Sequence, residues 1–239
     1  CDAEHTKAIN SDRSTLLTVQ GLVIQGCELA VSITSDDVVT FSDSELHSCV
    51  QGADITAKTL TLDNTRFSGA SSTSMQFDVK DLFIESSYFQ DDSTTSLNGT
   101  VEDSATISAS VFNHTGALAL LGTAEVQIYE SVFMNIADRR GALLYTRCSN
   151  FELSNSVIEC TADYQAIDAA LSDLYSLFMV KNTSMTNCAG GYSASGDVRL
   201  IDSTITNSSY PLIATIMNLE ITNCSITDGI SLDNGFASG

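Results

Sequence analysis

Two pairs of adjacent carboxylates are the groups in this 239-residue chain best suited to acid–base chemistry, Asp36–Asp37 and Asp91–Asp92. Paired carboxylates serve as general acid and base, or as ligands for Ca²⁺. The three histidines, His5, His47 and His114, share no motif with either pair. We therefore expect surface or turn roles for the histidines, no catalytic residue, no metal site and no cofactor. Calcium binding by the carboxylates is the alternative.

The charge of the chain bears on its partners. Thirty acidic and 10 basic side chains give a formal net charge of −20. A field of this sign repels phosphate groups, which argues against nucleic acid and anionic membranes. The acids are spread along the chain, as on a solvated surface, and no apolar stretch is long enough to span a bilayer. The chain begins with Cys1 and lacks an apolar leader, so we expect that any targeting signal has been removed.

The elements that must position these groups follow from an internal repeat. An eight-residue template has apolar residues at positions 1, 3 and 8 and a small residue at position 6. Alternation at positions 1 and 3 is typical of a strand. Ten segments match it, starting at Leu22, Val39, Leu60, Leu82, Ala105, Val126, Phe151, Phe178, Val198 and Leu219.

A period near 22 residues with two or three short strands predicts an all-β fold, a right-handed parallel β-helix (solenoid) of about ten coils. Stacked coils place equivalent residues above one another. Position 3 predicts one apolar ladder that starts with Ile24, and position 8 another that starts with Leu29. Position 6, which needs a small residue that can bond to the backbone, is Cys27, Ser44, Thr65, Ser87, Ser110, Ser131, Ser156, Thr183, Ser203 and Cys224.

Some segments depart from this scheme. The first step spans only 17 residues, from Leu22 to Val39, so that coil is either pinched or misaligned. Two long steps imply loops around the ADRRG motif, which holds the only basic pair, Arg139–Arg140, and within ADYQAIDAALSDLYS, where a short helical turn has room. We assign residues 1–15 to an N-terminal cap or the end of a preceding coil, and residues 16–239 to a β-helix that belongs to a longer chain.

Seven cysteines without a CxxC motif argue against a zinc site. Cys160 and Cys188 follow the ends of consecutive segments, which brings their Cα atoms within disulfide reach. The alternative is that both are merely small residues in turns. For Cys27 and Cys224, at position 6, we predict free buried thiols, whereas Cys1, Cys49 and Cys148 receive no assignment. Five N-x-S/T sequons are candidates for glycosylation, at Asn98, Asn113, Asn182, Asn207 and Asn223.

The ten segments resemble the parallel β-helix repeat of surface adhesins, passenger domains and other extracellular proteins. The GAL motifs at Gly116 and Gly141 follow SVF with Asn113 or Asn135 nearby. They also resemble the GGA[ILV] and FxxN repeats of bacterial polymorphic outer-membrane proteins, although Asn135 follows Phe133 by two residues. This resemblance implies surface display and adhesion, and it carries over no catalytic residue.

Enzymes of this fold provide the competing hypothesis. Polygalacturonase-type hydrolases carry NTD, GHG and RIK signatures that this sequence lacks, and lyases combine a calcium-binding acidic cluster with an Arg or Lys base. We therefore expect a non-catalytic extracellular or cell-surface glycoprotein with a structural or adhesive role. Its expected partners are surface proteins, glycans or other copies of the chain, joined end to end or laterally. A polysaccharide lyase or hydrolase and a calcium-dependent binding module are the alternatives.

Overall fold

The computed structural model describes residues 7–91, 95–122, 125–136, 142–161, 165–171, 176–188, 190–208, 210–227 and 231–232. These ranges contain strands and turns but no helix, and hence none long and apolar enough to cross a membrane. The strands are β1 Lys7–Gln20, β2 Val23–Gln25, β3 Leu29–Ser42, β4 Glu45–His47, β5 Gln51–Asp63, β6 Arg66–Ser68, β7 Thr73–Glu85, β8 Tyr88–Gln90, β9 Thr95–Ser108, β10 Val111–Asn113, β11 Ala117–Leu121, β12 Glu125–Tyr129, β13 Val132–Ile136, β14 Ala142–Cys148, β15 Asn150–Ser154, β16 Val157–Cys160, β17 Gln165–Leu171, β18 Leu177–Lys181, β19 Ser184–Thr186, β20 Gly190–Ile201, β21 Thr204–Thr206, β22 Tyr210–Thr222, β23 Ser225–Ile226 and β24 Ser231–Leu232.

The strands form two parallel sheets that wind as a β-helix. One sheet contains ten short strands in the order β2-β4-β6-β8-β10-β13-β16-β19-β21-β23, one from each coil, and the other contains the remaining fourteen. The predicted parallel β-helix is therefore confirmed. The structure has about eight turns, slightly fewer than the ten coils predicted.

The larger sheet covers two sides of each coil. In β3, β5, β7 and β9 one strand of 13 or 14 residues runs along both sides, and inward and outward side chains alternate along it. The middle coils divide this path into two strands, for example β11 and β12, which both pair with β9, whereas β20 and β22 are continuous again. The sides thus keep their register even where extra residues separate them.

The core consists of vertical ladders, as the repeat predicts. Pairing between neighbouring strands stacks position 3 as Val19, Phe41, Leu62, Ile84, Ile107, Ile128, Leu153, Val180, Leu200 and Ile221. Position 8 stacks as Ile24, Leu46, Phe67, Phe89, Phe112, Phe133, Ile158, Met185, Ile205 and Ile226. The four phenylalanines lie face to face, with ring centroids 4.8–5.1 Å apart.

The first coil corrects the predicted alignment. Leu17, not Leu22, pairs with Val39, so the first segment is LTVQGLVI and the step to the second is 22 residues. The position 3 ladder therefore begins with Val19, and Ile24 belongs to the position 8 ladder. The first coil therefore has the usual length. Of the two alternatives, a pinched coil and a misaligned segment, the structure supports the misaligned segment.

The predicted helical turn is also wrong for the part of its segment that the structure describes. Residues 165–171 form the strand β17, which pairs with β14 on one side and β20 on the other. Its neighbours supply a backbone edge on each side, and this tertiary pairing overrides the helix-favouring composition of QAIDAAL. At the amino end, residues 7–15 lie in β1, whereas residues 1–6 are outside the described part.

Candidate functional site

Each coil bends sharply at positions 5 and 6 of the repeat, which we call the first corner. Position 5 has a positive φ in all ten coils, between 46° and 63°, in the order Gly21, Asp43, Asn64, Ser86, Ala109, Glu130, Asn155, Asn182, Asp202 and Asn223. Glycine, Asn and Asp tolerate this left-handed conformation best, and they fill seven of the ten places. The corner thus explains a column of Asn and Asp that faces solvent.

Position 6 of the first corner links each coil to the next. Its hydroxyl donates a hydrogen bond to the carbonyl two residues earlier, as Ser87 Oγ does to Glu85 O at 2.9 Å. The same oxygen accepts a bond from the backbone N–H at position 6 of the preceding coil, here Thr65 N at 3.2 Å. The predicted role of this column is therefore confirmed, except in the first coil, where Leu22 occupies position 6.

A second corner follows the short strand, at positions 10 and 11, and it obeys similar rules. Position 10 is left-handed in Gly26, Ser48, Gly69, Asp91, His114, Asn135, Asn187 and Asn207. Position 11 is small and buried, as in Cys49, Ala70 and Thr115. Cys27 lies at this second corner rather than at position 6, because β2 and β4 pair with an offset of 22 residues.

A concave site lies on the outer side of the first corner, in the second to fourth coils. It is an open groove of about 430 Å³, and its lining residues are Asp43, Ser44, Glu45, Asn64, Thr65, Arg66, Ser86 and Tyr88. These residues come from positions 5, 6 and 7 of three consecutive coils. The stacking of coils therefore builds the groove from residues about 22 apart in sequence.

Asp43 is the acid of this groove that accepts hydrogen bonds at both carboxylate oxygens. Its Oδ1 accepts a hydrogen bond from Asn64 Nδ2 at 2.7 Å, and its Oδ2 accepts one from Gln20 Nε2 at 3.3 Å. The bond from Asn64, and to a smaller extent the bond from Gln20, hold the pKa of the Asp43 carboxyl below its ordinary value. A carboxylate that stays ionised is suited to accept hydrogen bonds, not to donate a proton as a general acid.

Arg66 and Tyr88 form the other wall of the groove. The guanidinium carbon of Arg66 lies 5.1 Å from the centroid of the Tyr88 ring, and its Nη2 donates to Gln90 Oε1 at 3.1 Å. Asn113 Nδ2 donates to the Tyr88 hydroxyl at 3.4 Å. Cation–π contact and hydrogen bonds thus fix both side chains in place. The groove thus combines an aromatic ring, a cation and carboxylates.

The predicted acid–base candidates do not meet in this groove. Asp36 and Asp37 are exposed at the middle of β3, where the strand pairing shifts register. Asp91 lies at the second corner, and its Oδ1 is 3.7 Å from His114 Nδ1. Among the described residues, no group of three or more His, Cys, Asp or Glu side chains could hold a metal ion. His5, Asp92 and Arg139–Arg140 lie outside the described residues.

The cysteines give one confirmed prediction and one correction. Cys160 and Cys188 form a disulfide with a Cα–Cα distance of 4.9 Å, as predicted for consecutive coils. Cys27 is disulfide-bonded, not free, with its partner outside the described residues. Cys224 is free but only half-buried, because it lies at position 6 of the last coil. The other free cysteines, Cys49 and Cys148, are buried.

Three of the five sequon asparagines belong to the corner columns. Asn182 and Asn223 lie at the first corner, and their Nδ2 atoms donate to Asn155 Oδ1 at 2.8 Å and Asp202 Oδ1 at 3.1 Å. Asn207, at the second corner, donates likewise to Asn187 at 2.7 Å. Positive φ and these bonds give the three residues a structural role at the corners. A glycan on one of these amides would compete with its hydrogen bond to the neighbouring coil.

The other two sequons differ in access. Asn113 is half-buried, its Oδ1 accepts a bond from Asn135, and the hydroxyl residue of its sequon, Thr115, is buried. Asn98 is half-buried on β9, and the hydroxyl residue of its sequon, Thr100, is exposed. A sequon is modified where the enzyme can reach it, so the geometry favours Asn98 over Asn113.

The groove was missed because sequence reasoning followed only the inward columns. Position 7 points outward, and in consecutive coils it reads Glu45, Arg66 and Tyr88. The same template that stacks Leu46 on Phe67 places Arg66 beside Tyr88. The signal was therefore present in the repeat, as a run of charged and aromatic residues in one outward column.

The comparison with known families agrees with this geometry. The family model described as a right handed beta helix region matches residues 7–158. No curated protein and no solved structure matches the chain significantly.

Proposed function

The chain belongs to the right-handed β-helix family, and we propose that it is the shaft of a non-catalytic extracellular surface glycoprotein with a structural or adhesive role. The observation that carries this proposal is the disulfide between Cys160 and Cys188, which joins consecutive coils. Disulfides persist in oxidising environments, such as the cell surface, and are rare in reducing compartments. The proposal therefore assigns the protein to the outside of the cell.

The stacking of the coils supports a mechanical role. Continuous ladders fill the interior, and hydrogen bonds at the first corner tie every coil to its neighbour. The outward side chains, by contrast, vary from coil to coil. A net charge of −20 keeps such shafts from associating indiscriminately. A rigid rod with a variable surface suits the display of loops and sugars to other proteins or glycans.

The resemblance to polymorphic outer-membrane proteins points in the same direction. The strands β11 and β14, which contain the last two residues of the two GAL motifs, pair with each other. Leu118 ends the first motif and pairs with Leu144, the residue that follows the second motif, so the two motifs are offset by one residue. Adhesion by analogy with that family remains part of this proposal.

Secretion and mapping test the proposal. The chain is expressed with a secretion signal in eukaryotic cells, and its cysteines and sequons are mapped by mass spectrometry. Beads coated with the product are then assayed for binding to host or neighbouring cells. We expect the Cys160–Cys188 disulfide, a glycan at Asn98 and bead binding that excess soluble protein blocks. Free thiols at Cys160 and Cys188 in protein from the native source would contradict the extracellular assignment.

A glycan-acting β-helix is the second candidate, and the groove favours it. Asp43, Glu45, Arg66 and Tyr88 line an open site suited to a sugar chain. Incubation with acidic and neutral polysaccharides separates the candidates. Unsaturated or reducing-end products indicate an enzyme. Binding without products, lost in Tyr88→Ala but retained in Tyr129→Ala, indicates a glycan-binding shaft, because Tyr129 lies outside the groove.

A further inference from the structure

The outward side of the ten-stranded sheet differs in charge from the larger sheet. We call it the short-strand face; its side chains come from positions 7 and 9 of the repeat, the first and third residues of each short strand. In the described strands from β8 to β23, Glu159 is the one residue at these positions with a charged side chain. Position 7 reads Tyr88, Val111, Val132, Val157, Ser184, Thr204 and Ser225, and position 9 reads Gln90, Asn113, Met134, Glu159, Thr186 and Thr206.

The larger sheet, by contrast, carries charged pairs on its outward side. Lys80 lies 3.6 Å from Glu102 there. Arg199 lies 3.5 Å from Glu220. Two copies of a chain with a net charge of −20 repel each other wherever their acids meet. The short-strand face avoids most of this repulsion, and Val157 on it is 43% exposed. Depletion of charge around exposed apolar side chains is typical of the centre of a protein interface.

We propose that two copies of this chain dimerise through their short-strand faces, packed antiparallel about a two-fold axis that lies between the faces and parallel to β10. In the sheet order β6-β8-β10-β13-β16, β10 is the middle strand. The axis therefore places β6 of one copy opposite β16 of the other, β8 opposite β13, and β10 opposite its own counterpart. Position 7 then faces position 7, and position 9 faces position 9. The dimer is independent of the extracellular location proposed above.

The charges of the face are complementary in this arrangement. Arg66 lies at position 7 of β6, and Glu159 at position 9 of β16. In the dimer each Arg66 lies opposite position 7 of β16 in the second copy, and Glu159 follows two residues later, about 7 Å along the strand. The guanidinium already points toward that column, because it lies over the Tyr88 ring and donates to Gln90 Oε1, at position 9 of the next coil. The two-fold axis forms the ion pair twice.

The contacts between and beyond the two ion pairs match as well. Between them, Tyr88 faces Val132 of the second copy and Val111 faces its own counterpart, so the centre of the interface is largely apolar. Beyond them, Glu45 faces Ser184, whose hydroxyl is a hydrogen-bond donor. A parallel dimer would instead put position 7 opposite position 9 of the same coil, which leaves each Glu159 without a cation opposite it.

The size of the face predicts a weak dimer. The facing strands β2 to β21 span roughly 40 Å and three residues of each strand span roughly 10 Å, so each copy buries about 400 Å². Stable interfaces bury about 800 Å² per partner, so we expect a Kd on the order of 10–100 µM. Asn113 lies at the centre of the face, so the dimer requires that its sequon carry no glycan. Asn98 lies on β9 of the larger sheet, where a glycan leaves the face clear.

Sedimentation equilibrium tests the dimer and its orientation, with the oxidised protein at about 1–500 µM. Wild type should pass from monomer to dimer in this range. Arg66→Glu and Glu159→Arg each put like charges opposite each other twice, so each variant alone should dimerise at least about tenfold more weakly. An equimolar mixture of the two variants brings opposite charges together at both places again. It should form a heterodimer with the Kd of the wild-type dimer.

A control on the larger sheet makes the result specific to the face. Lys80→Glu makes the same change of charge as Arg66→Glu, and it should leave the Kd unchanged. Circular dichroism verifies that every variant folds. The proposal is overturned if wild type stays monomeric over the whole range, if the mixture associates no better than either variant alone, or if mass spectrometry finds Asn113 fully glycosylated. A dimer that survives both charge reversals uses another face and overturns it too.

Discussion

The backbone N–H of Ser131 donates a hydrogen bond to the side chain of Ser156 at 3.2 Å, although the two residues are 25 positions apart in sequence. Ser156 Oγ in turn donates to Ser154 O at 2.8 Å, so one hydroxyl satisfies groups of two coils. Both serines are buried, so a water molecule does not take over a hydrogen bond that one of these hydroxyls loses. The first corner therefore couples each coil energetically to the next.

This coupling predicts the effect of removing one hydroxyl. Ser131→Ala leaves the N–H of Ser110 and the carbonyl of Tyr129 without their bonds to Ser131 Oγ. We expect the free energy of unfolding to fall by about 1–3 kcal/mol. Ser154→Ala, on the outward side of β15, is the matched control and should change it by less than about 0.5 kcal/mol. Urea denaturation measures both, and equal effects would contradict the role of the corner.

The phenylalanine stack gives a second prediction. Phe112 lies between Phe89 and Phe133 and is fully buried, so Phe112→Ala leaves a cavity in the ladder. The expected loss of stability is about 3–5 kcal/mol. Phe83→Ala removes the same side chain from the outer face, where Phe83 is 40% exposed, and should cost far less. Thermal unfolding followed by circular dichroism compares the two, and a similar loss in both would refute the stacked core.

The sequence predicted the stacked interior well but misplaced the first segment for a physical reason. Both corners consist of a left-handed residue followed by a small buried one, as in Asn64–Thr65 and Ser48–Cys49. Gly26–Cys27 satisfies that rule at the second corner, so the template matches it as if it were the first corner. The segment that starts at Leu17 does not match the template, because Leu22 is a large residue at position 6. Pairing between strands resolves this ambiguity, and a local template cannot.

The groove and the disulfide of Cys27 illustrate the other limit of the sequence. Arg66 and Tyr88 lie side by side only because their coils stack in register, which inward columns alone do not reveal. Cys27 was assigned to the wrong corner, and its predicted state followed from that error. The Cys160–Cys188 disulfide was predictable because both residues follow correctly aligned segments.

The left-handed conformation at position 5 of the first corner predicts a stabilising substitution. Ala109 holds φ at 46°, a conformation that costs a non-glycine residue about 1–2 kcal/mol, and its side chain is exposed. Asn tolerates this conformation, so Ala109→Asn should raise the free energy of unfolding by up to about 1 kcal/mol. Ala109→Val should lower it by about 1 kcal/mol or more, because a β-branched side chain fits there worst. Chemical denaturation measures the stability of both variants. An Ala109→Val variant that is more stable than Ala109→Asn would contradict the left-handed conformation at position 5.

Cys148 makes stability depend on alkaline pH. Burial raises the pKa of its thiol from the ordinary value of 9.0 to about 11. Between pH 9 and about 11 the unfolded chain loses this proton while the folded chain keeps it, so stability falls as pH rises. The loss reaches about 2–3 kcal/mol at the end of this window. Wild type should therefore lose more stability than Cys148→Ala between pH 8 and pH 11, and parallel curves would contradict the shift.

The disulfide between the seventh and eighth coils predicts a further loss. Cys160 and Cys188 are 28 positions apart in sequence, and breaking a cross-link that closes a loop of this size costs about 3–4 kcal/mol of stability through the entropy of the unfolded chain. The double variant Cys160→Ser/Cys188→Ser avoids a new unpaired thiol. Its midpoint in urea should lie below that of oxidised wild type, and neither protein is reduced, so that both keep the disulfide of Cys27. A midpoint unchanged from oxidised wild type would mean that the bond does not stabilise the helix.

The distance between Ser131 and Ser156 in a crystal structure tests the stacking of coils most directly. Successive coils should place the two Cα atoms one strand spacing apart, about 4.8 Å, with both hydroxyls in the same buried column. Cα atoms separated by more than about 7 Å, or hydroxyls pointing to different sides of the molecule, would contradict the parallel β-helix on which every proposal here depends.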